Sequence, residues 1–178
     1  MDEHWLTFGS SEPENAPSFP FQARYLGSLQ DDISLRILYS AADVMVVPSK
    51  QENLSNAIME ALACGTPVVG FDIGGNKDMI EHRENGYLAT PYEPDDLARG
   101  IEEVLRDKVL SFKWLRFREE EEGVVAKEEG KEPAEDLSFL SEMGRRAREK
   151  VVREFDSRVV AKRYVALYGE VLSGWVDR

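Results

Sequence analysis

Glu52 and Glu60 bracket the segment ENLSNAIME, with two asparagines and a serine between them. Read as a helix, the segment places Leu54, Ala57, Ile58, Ala61 and Leu62 at i, i+3, i+4, i+7 and i+8, one face turned to a core. Asn56 and Glu60 take the opposite side, and Glu52 precedes the first turn. The two carboxylates then line one polar edge, about 12 Å apart if every intervening residue were helical. A helix amino end leaves amides without partners, here those of Asn53, Leu54 and Ser55, and such amides suit a phosphate. Taken alone, the pair has a plainer reading: Glu52 offsets the helix dipole and Glu60 is solvated.

The elements around this segment give it a place. Trp5 to Gly9 and Ala23 to Leu26 read as short strands joined by the Pro- and Ser-rich SSEPENAPSFPF. Asp31 or Asp32 can cap a helix through Ala42, with Ile33, Ile37, Leu38 and Ala41 at helical spacing. Val44 to Val47 is an apolar strand ending at Pro48-Ser49. A helix from about Leu54 to Cys64 stops at Gly65-Thr66-Pro67, and Val68 to Phe71 is the next apolar strand. Gly74-Gly75, a short helix near Lys77 to His82, a strand at Tyr87 to Ala89 and a helix from Pro94 to about Arg106 repeat the unit. Apolar strands alternating with helices require crossover connections, so the expectation is a doubly wound α/β domain with a parallel sheet. Ligands of such sheets bind at the carboxyl ends of the strands, which directs attention to residues 9–10, 27–30, 49–55 and 72–76. Leu137 to Leu172 reads as one or two helices, docked through Tyr164, Leu167, Tyr168 and Leu172.

Composition narrows the class. A chain of 178 residues with 42% apolar content is long enough for one α/β domain plus appendages. A net charge of −12 argues against unaided binding to nucleic acid or to an anionic membrane, since both need a basic face. Half of that charge falls in residues 118–136, REEEEGVVAKEEGKEPAED, which also carry Gly123, Gly130 and Pro133 and so read as a solvated insertion. The amino end MDEHWLTF has no basic leader, no apolar run is long enough for a bilayer, and the single cysteine has no partner. These features lead us to expect a cytoplasmic protein, with peripheral attachment at the inner membrane face as an alternative. Cys64 reads as small core filler, and His4 and His82 as surface residues without metal-ligand spacing. Trp114 and Phe117, beside Lys113, Arg116 and Arg118, fit a helix packed on the domain or a short lipid-surface patch.

The run PSKQENLSNAIMEALACGTPVVGFDIGGNKDMIEHRENGYLA resembles the donor-binding domain of retaining glycosyltransferases of the GT-B fold, group 1 type. That family's defining pair is a glutamate, seven residues and a second glutamate, here Glu52 and Glu60, placed after a strand ending in Pro-Ser and before EALACGTPVV. YLGSLQDDISLRILYSAADVMVVPS and REKVVREFDSRVVAKRYVALYGEVL are similar to the same family, and the acidic insertion is unlike it. The resemblance implies that Glu60 accepts hydrogen bonds from the ribose hydroxyls of a sugar nucleotide. It implies that the amides of Asn53, Leu54 and Ser55 hold the diphosphate and sugar, and that Glu52 stabilises positive charge developing on the sugar. Gly74 and Gly75 either approach the sugar or form a tight turn, and Ser28 and Leu29 either contact the base or form a plain strand-to-helix loop. Many members carry Gly-Phe-Gly where this chain has Asn53-Leu54-Ser55, so side chains there bear on donor choice.

By the resemblance, the reaction moves a hexose from a UDP- or GDP-sugar to a saccharide or lipid-linked acceptor with retention, without a metal or other cofactor. Members place an acceptor-binding domain and a first strand-helix unit ahead of the portion matched here. The expectation is therefore a partial nucleotide-sugar domain at residues 1–107, an insertion or linker at 108–136 and packing helices at 137–178. On this reading the chain is a truncated product, or a subunit completed by a separate chain that supplies the acceptor domain. Two alternatives remain: a nucleotide-sugar-binding fragment without turnover, and a sugar-nucleotide epimerase of the same build.

Overall fold

The computed structural model describes residues 4–106 and 137–176. The acidic segment and the Trp114–Phe117 stretch lie outside the described residues. Five strands and six helices are described: β1 (His4–Thr7), β2 (Gln22–Tyr25), α1 (Asp32–Ala41), β3 (Met45–Val47), α2 (Asn56–Ala63), β4 (Val68–Phe71), α3 (Asn76–Met79), β5 (Gly86–Ala89), α4 (94–106), α5 (Leu137–Glu154) and α6 (Ser157–Val176). All strand pairings are parallel, as the alternation of apolar strands and helices requires. They fall into two sheets, β1-β2 and β3-β4-β5, rather than one continuous sheet.

Strand β4 shows why VVGF reads as an unbroken apolar run: all four residues are buried, because both faces are covered. On one face Val68 joins Tyr39, Val47, Ile58, Leu62, Met79, Ile80 and Ala147. On the other, Val69 and Phe71 meet Tyr87, Ala89, Leu97, Val104 and Met143. Helix α5 thus contributes to both clusters, through Met143 and Ala147.

Local chemistry sets the helix ends. Asp31 caps α1 by accepting from the Ser34 amide at 2.8 Å, as its position ahead of the apolar residues predicts. The Thr66 hydroxyl donates to the Tyr39 carbonyl at 2.6 Å near the other end of the same helix. At the end of α2, Gly65 takes a φ of +81°, its amide donates to the Leu62 carbonyl at 3.0 Å and the Thr66 amide to the Ala61 carbonyl at 3.0 Å. The Arg148 guanidinium donates to the Ala63 carbonyl at 2.8 Å, and a Cβ on Gly144 would stand 2.2 Å from the Gly65 carbonyl oxygen. Helix α5 therefore seats directly on the last turn of α2.

Three sequence expectations need correction. Of the stripe Ile33, Ile37, Leu38 and Ala41 on α1 only Leu38 is half-buried, and the helix packs through Tyr39 and Leu35, because Tyr39 is the side chain drawn into the cluster beside Val47 and Ile58. Leu54 is not on the core face of α2: it precedes the helix, 46% exposed. Tyr164, Leu167, Tyr168 and Leu172 do not dock α6 on the domain; all are exposed, and Met143, Ala147, Val151 and Phe155 do the packing from α5 and its end. Lys150, buried on α5, is matched by Glu81 at 2.8 Å and Glu154 at 3.5 Å, the pairing that a buried ammonium needs.

Two outcomes follow from this packing. Gly144→Ala is expected to destabilise by about 1 kcal/mol in urea unfolding, because overpacking costs about 1–3 kcal/mol against at most ~1 kcal/mol of helix propensity gained. Asp96 accepts from the Thr90 hydroxyl at 2.6 Å, the Thr90 amide at 2.7 Å and the Tyr87 hydroxyl at 2.9 Å. The Thr90 bonds, reinforced by Tyr87, lower its carboxyl from the ordinary 3.8 to about 2. A lowered folded-state value means that the stabilisation is complete above the unfolded value and fades as pH falls toward 2. Asp96→Asn should therefore lower Tm at pH 6 and flatten its decline between pH 4 and 2.

Candidate functional site

Loops leaving the carboxyl ends of β3 and β4 meet, since the two strands are parallel neighbours. The first, residues 48–55, leads into α2; the second, residues 72–75, leads into α3. Their junction is made by backbone. The Gly75 amide donates to the Asn53 carbonyl at 2.7 Å. A Cβ on Gly74, whose φ is +50°, would fall 1.8 Å from the Glu52 carbonyl oxygen, and one on Gly75 would fall 2.2 Å from that of Asn53. Only residues without side chains allow this approach. The glycine pair therefore does more than form a tight turn: it receives and fixes the backbone of residues 52–53.

A cavity of about 310 Å³ opens beside that junction, lined by Gln51, Glu52 and Asn53. Glu52 is half-buried and accepts from the Asn53 amide at 3.2 Å, so this amide is already engaged. Helix α2 begins at Asn56, later than the sequence periodicity predicts, with Ser55 as a buried N-cap whose hydroxyl makes no capping bond. The amides left open at the helix start are those of Asn56, Ala57 and Ile58, one turn on from the expected Asn53, Leu54 and Ser55. They stand at the carboxyl end of β3, where an anionic group gains from both the amides and the helix dipole.

Glu60 lies on the exposed side of α2, one turn beyond Asn56, and is not among the residues lining the cavity. Its carboxylate is not loose. The Tyr39 hydroxyl donates to it at 3.1 Å, and Tyr39 is itself fixed in the core, with its ring edge-on to Phe8 at 5.7 Å. Burial, then the Glu60 charge, pushes the Tyr39 hydroxyl well above its ordinary value, so it remains a proton donor at any working pH. Spacing arguments could not reveal this, because residues 39 and 60 belong to different helices. Asn76, within the loop 72–76 but not singled out there, is fully buried: its amide nitrogen donates to the Phe71 carbonyl at 3.0 Å, and its oxygen has no partner among the described residues.

Ser28, exposed, and Leu29, half-buried, lie in the loop after β2, with no hydrogen bond to residues 52–60 among the described residues. His4 is exposed; His82 is exposed too, but its ring accepts from the Leu88 amide at 3.2 Å and sits 4.5 Å from the Tyr87 ring, a local structural role. Cys64 packs against the α2 cluster, as its apolar neighbours suggest. Among the described residues no helix is long and apolar enough to cross a membrane.

Comparison with known proteins finds relatives of this chain. An uncharacterised glycosyltransferase of Methanocaldococcus jannaschii is 42% identical over 83 residues, 47% of this chain and 21% of that protein. The sucrose-phosphate synthase of Thermosynechococcus elongatus superposes with a TM-score of 0.66 at 25% identity, over 95% of this chain and 38% of that one. Anabaena HepE in complex with UDP-glucose superposes at 0.58 and 22% identity, over 85% and 33%, a likeness of fold. The chain spans 20–30% of the length of the first curated relatives it matches. The α/β architecture is that of a Rossmann-like half of the GT-B build. Residues 22–121 match the model of glycosyl transferases group 1, and the chain belongs to that family.

Proposed function

We propose that this chain is the donor half of a glycosyltransferase, binding a nucleoside diphosphate sugar whose hexose passes, with retention, to a saccharide or lipid-linked acceptor. The observation that carries this reading is the loop 52–55, clamped by the Gly75 amide at the open amino end of α2 beside a cavity of about 310 Å³. In the proposal the diphosphate lies over the amides of Asn56 to Ile58, and Asn53, Leu54 and Ser55 shape the space for the sugar. Glu52, already at the cavity wall, stabilises positive charge as it develops at the anomeric carbon. Glu60, held by Tyr39, accepts from the ribose hydroxyls. Ser28 and Leu29 are assigned to the base, and neither a metal nor another cofactor is required. UDP-glucose in the Anabaena protein of the same fold supports a uridine donor among the choices.

A second reading is nucleotide-sugar binding without turnover of its own. A separate chain that supplies an acceptor domain would then restore transfer. Assays of sugar transfer with and without such a domain distinguish the two readings: activity of residues 1–178 alone refutes the second.

Calorimetric titration with UDP, GDP and ADP tests binding. One of the three is expected to bind, and Glu60→Ala should weaken it by about 1–3 kcal/mol through lost hydrogen bonds to a charged group. Tyr39→Phe should cost less, about 0.5–1.5 kcal/mol, since it frees the carboxylate without removing it. Affinity unchanged in Glu60→Ala refutes the ribose assignment. Gly75→Ala should weaken nucleotide binding at least as much as Glu60→Ala. Its Cβ meets the Asn53 carbonyl oxygen at 2.2 Å and must displace residues 52–53, whereas the core on which far-ultraviolet circular dichroism reports lies elsewhere.

A further inference from the structure

Asn76 is a polar side chain at a position that stability alone does not favour. It is fully buried, and its amide oxygen has no partner among the described residues. An unpaired amide oxygen in a core carries a desolvation cost that an apolar side chain of similar size avoids. The nitrogen of the same amide is engaged: it donates to the Phe71 carbonyl at 3.0 Å, five positions back along the chain. It lies against β4, 3.7 Å from where a Cβ on Gly70 would stand. The Phe71 carbonyl can only accept, which fixes the nitrogen toward it and leaves the oxygen on the side without a donor.

That bond closes the turn from β4 into α3. Phe71, the last residue of β4, is buried, and the next amide, that of Asp72, donates to the Ala89 carbonyl of β5 at 2.8 Å. Asn76, the first residue of α3, is anchored from the other side: its backbone carbonyl accepts from the Ile80 amide at 2.8 Å, and Met79 and Ile80 are buried. Between these fixed points the backbone bonds are local, from the Ile73 amide to the Phe71 carbonyl at 2.8 Å and from the Asn76 amide to the Ile73 carbonyl at 3.0 Å. The side-chain bond ties the start of α3 directly to the end of the strand, with Gly74 and Gly75 inside the loop it closes. Glycine restrains its own dihedrals poorly, so the place of this pair has to be set by the residues on either side of it. The place matters, because the Gly75 amide holds the Asn53 carbonyl at 2.7 Å.

We infer that Asn76 is a positioning residue of the candidate donor site: its amide locks the turn between β4 and α3 so that Gly75 holds Asn53, and with it Glu52, at the cavity wall. The inference rests on the reading of that cavity as the donor site, while its structural half concerns the free chain and needs no nucleotide. A packing role would be served by any side chain that fills the space. A positioning role needs a donor aimed at the Phe71 carbonyl, and the two make different demands on the same substitutions.

Residue-resolved amide exchange and calorimetric titration with UDP, on the full chain and its Asn76→Leu and Asn76→Asp variants, test this. The reference is the buried Thr66 amide, which donates to the Ala61 carbonyl and reports on the core. In Asn76→Leu the Phe71 carbonyl keeps the Ile73 amide and the unpaired oxygen is gone. Thr66 exchange should then stay within about threefold of the unsubstituted chain while Gly75 exchange rises about tenfold or more. UDP affinity should fall about tenfold, because residues 52–53 are no longer held in place. In Asn76→Asp a protonated carboxyl can donate to the Phe71 carbonyl and a carboxylate cannot. Burial favours the protonated form, so Gly75 protection relative to Thr66 should be retained at about pH 5 and lost by about pH 8. Should the leucine variant not fold, the aspartate variant decides alone. Gly75 exchange that rises only in step with Thr66 would mean that Asn76 serves the core, and Gly75 exchange unchanged in both variants would mean that the turn holds itself. Either overturns the inference, as does UDP bound with equal affinity by the unsubstituted chain and the variants. An unsubstituted chain that binds no UDP counts against a uridine donor and leaves the exchange measurements to decide.

Discussion

Helix α2 can present its amino end to a ligand only because its other end cannot move. Ile58, Ala61 and Leu62 are fully buried against β4 and α5, and Gly144 of α5 lies so close to the turn at Gly65 that a Cβ on it would stand 2.2 Å from the Gly65 carbonyl oxygen. Arg148 occupies the carbonyl of Ala63, which would otherwise lack a partner at the helix end. With the carboxyl end fixed in this way, the position of Asn56 is set by the helix rise rather than by the loop that precedes it. The loop is in turn held by the Gly75 amide. Both constraints act on backbone, so side chains at residues 53–55 can vary without moving the helix start. That is the division of labour a donor-specificity loop needs: a rigid frame with replaceable lining.

The elements most legible in the sequence were those whose residues are buried on all sides. VVGF, with β-branched residues and no polar interruption, fixes β4 and hence the parallel core. Glu52 and Glu60 were legible as a pair because helical periodicity assigns the apolar positions between them, and Ile58, Ala61 and Leu62 do sit in the core. Periodicity failed at element ends. Leu54 matches the spacing of the core stripe, but Ser55 closes the helix before it, and a count of apolar positions carries no information on where the first hydrogen bond forms. The Tyr39–Glu60 bond and the contact of Gly75 with Asn53 join residues 21 and 22 positions apart. Both depend on how α1 and the β4 loop fold back on α2, which no local pattern encodes.

The misread stripes share one cause. Ile33 and Ile37 on α1, and Tyr164, Leu167, Tyr168 and Leu172 on α6, are spaced as a core face should be, and each set is exposed. Amphipathic spacing reports that a helix has an apolar face; it does not say that the surface covering that face belongs to the same described set of residues. Trp5 and Leu6 on β1 are exposed as well, while β4 and β5 are well covered.

Electrostatics bear on the proposed donor. A nucleoside diphosphate brings negative charge to a chain whose net charge is −12, and the side chains at the cavity are Gln51, Glu52 and Asn53, with no cation among them. The open amides and dipole of α2 contribute about 0.3–1 kcal/mol each for an exposed anion, far short of what micromolar binding requires. In the proposed arrangement the Glu60 carboxylate meets the ribose rather than the diphosphate. Tight capture of the diphosphate therefore calls for positive or amide groups reaching it from the far side of the cavity.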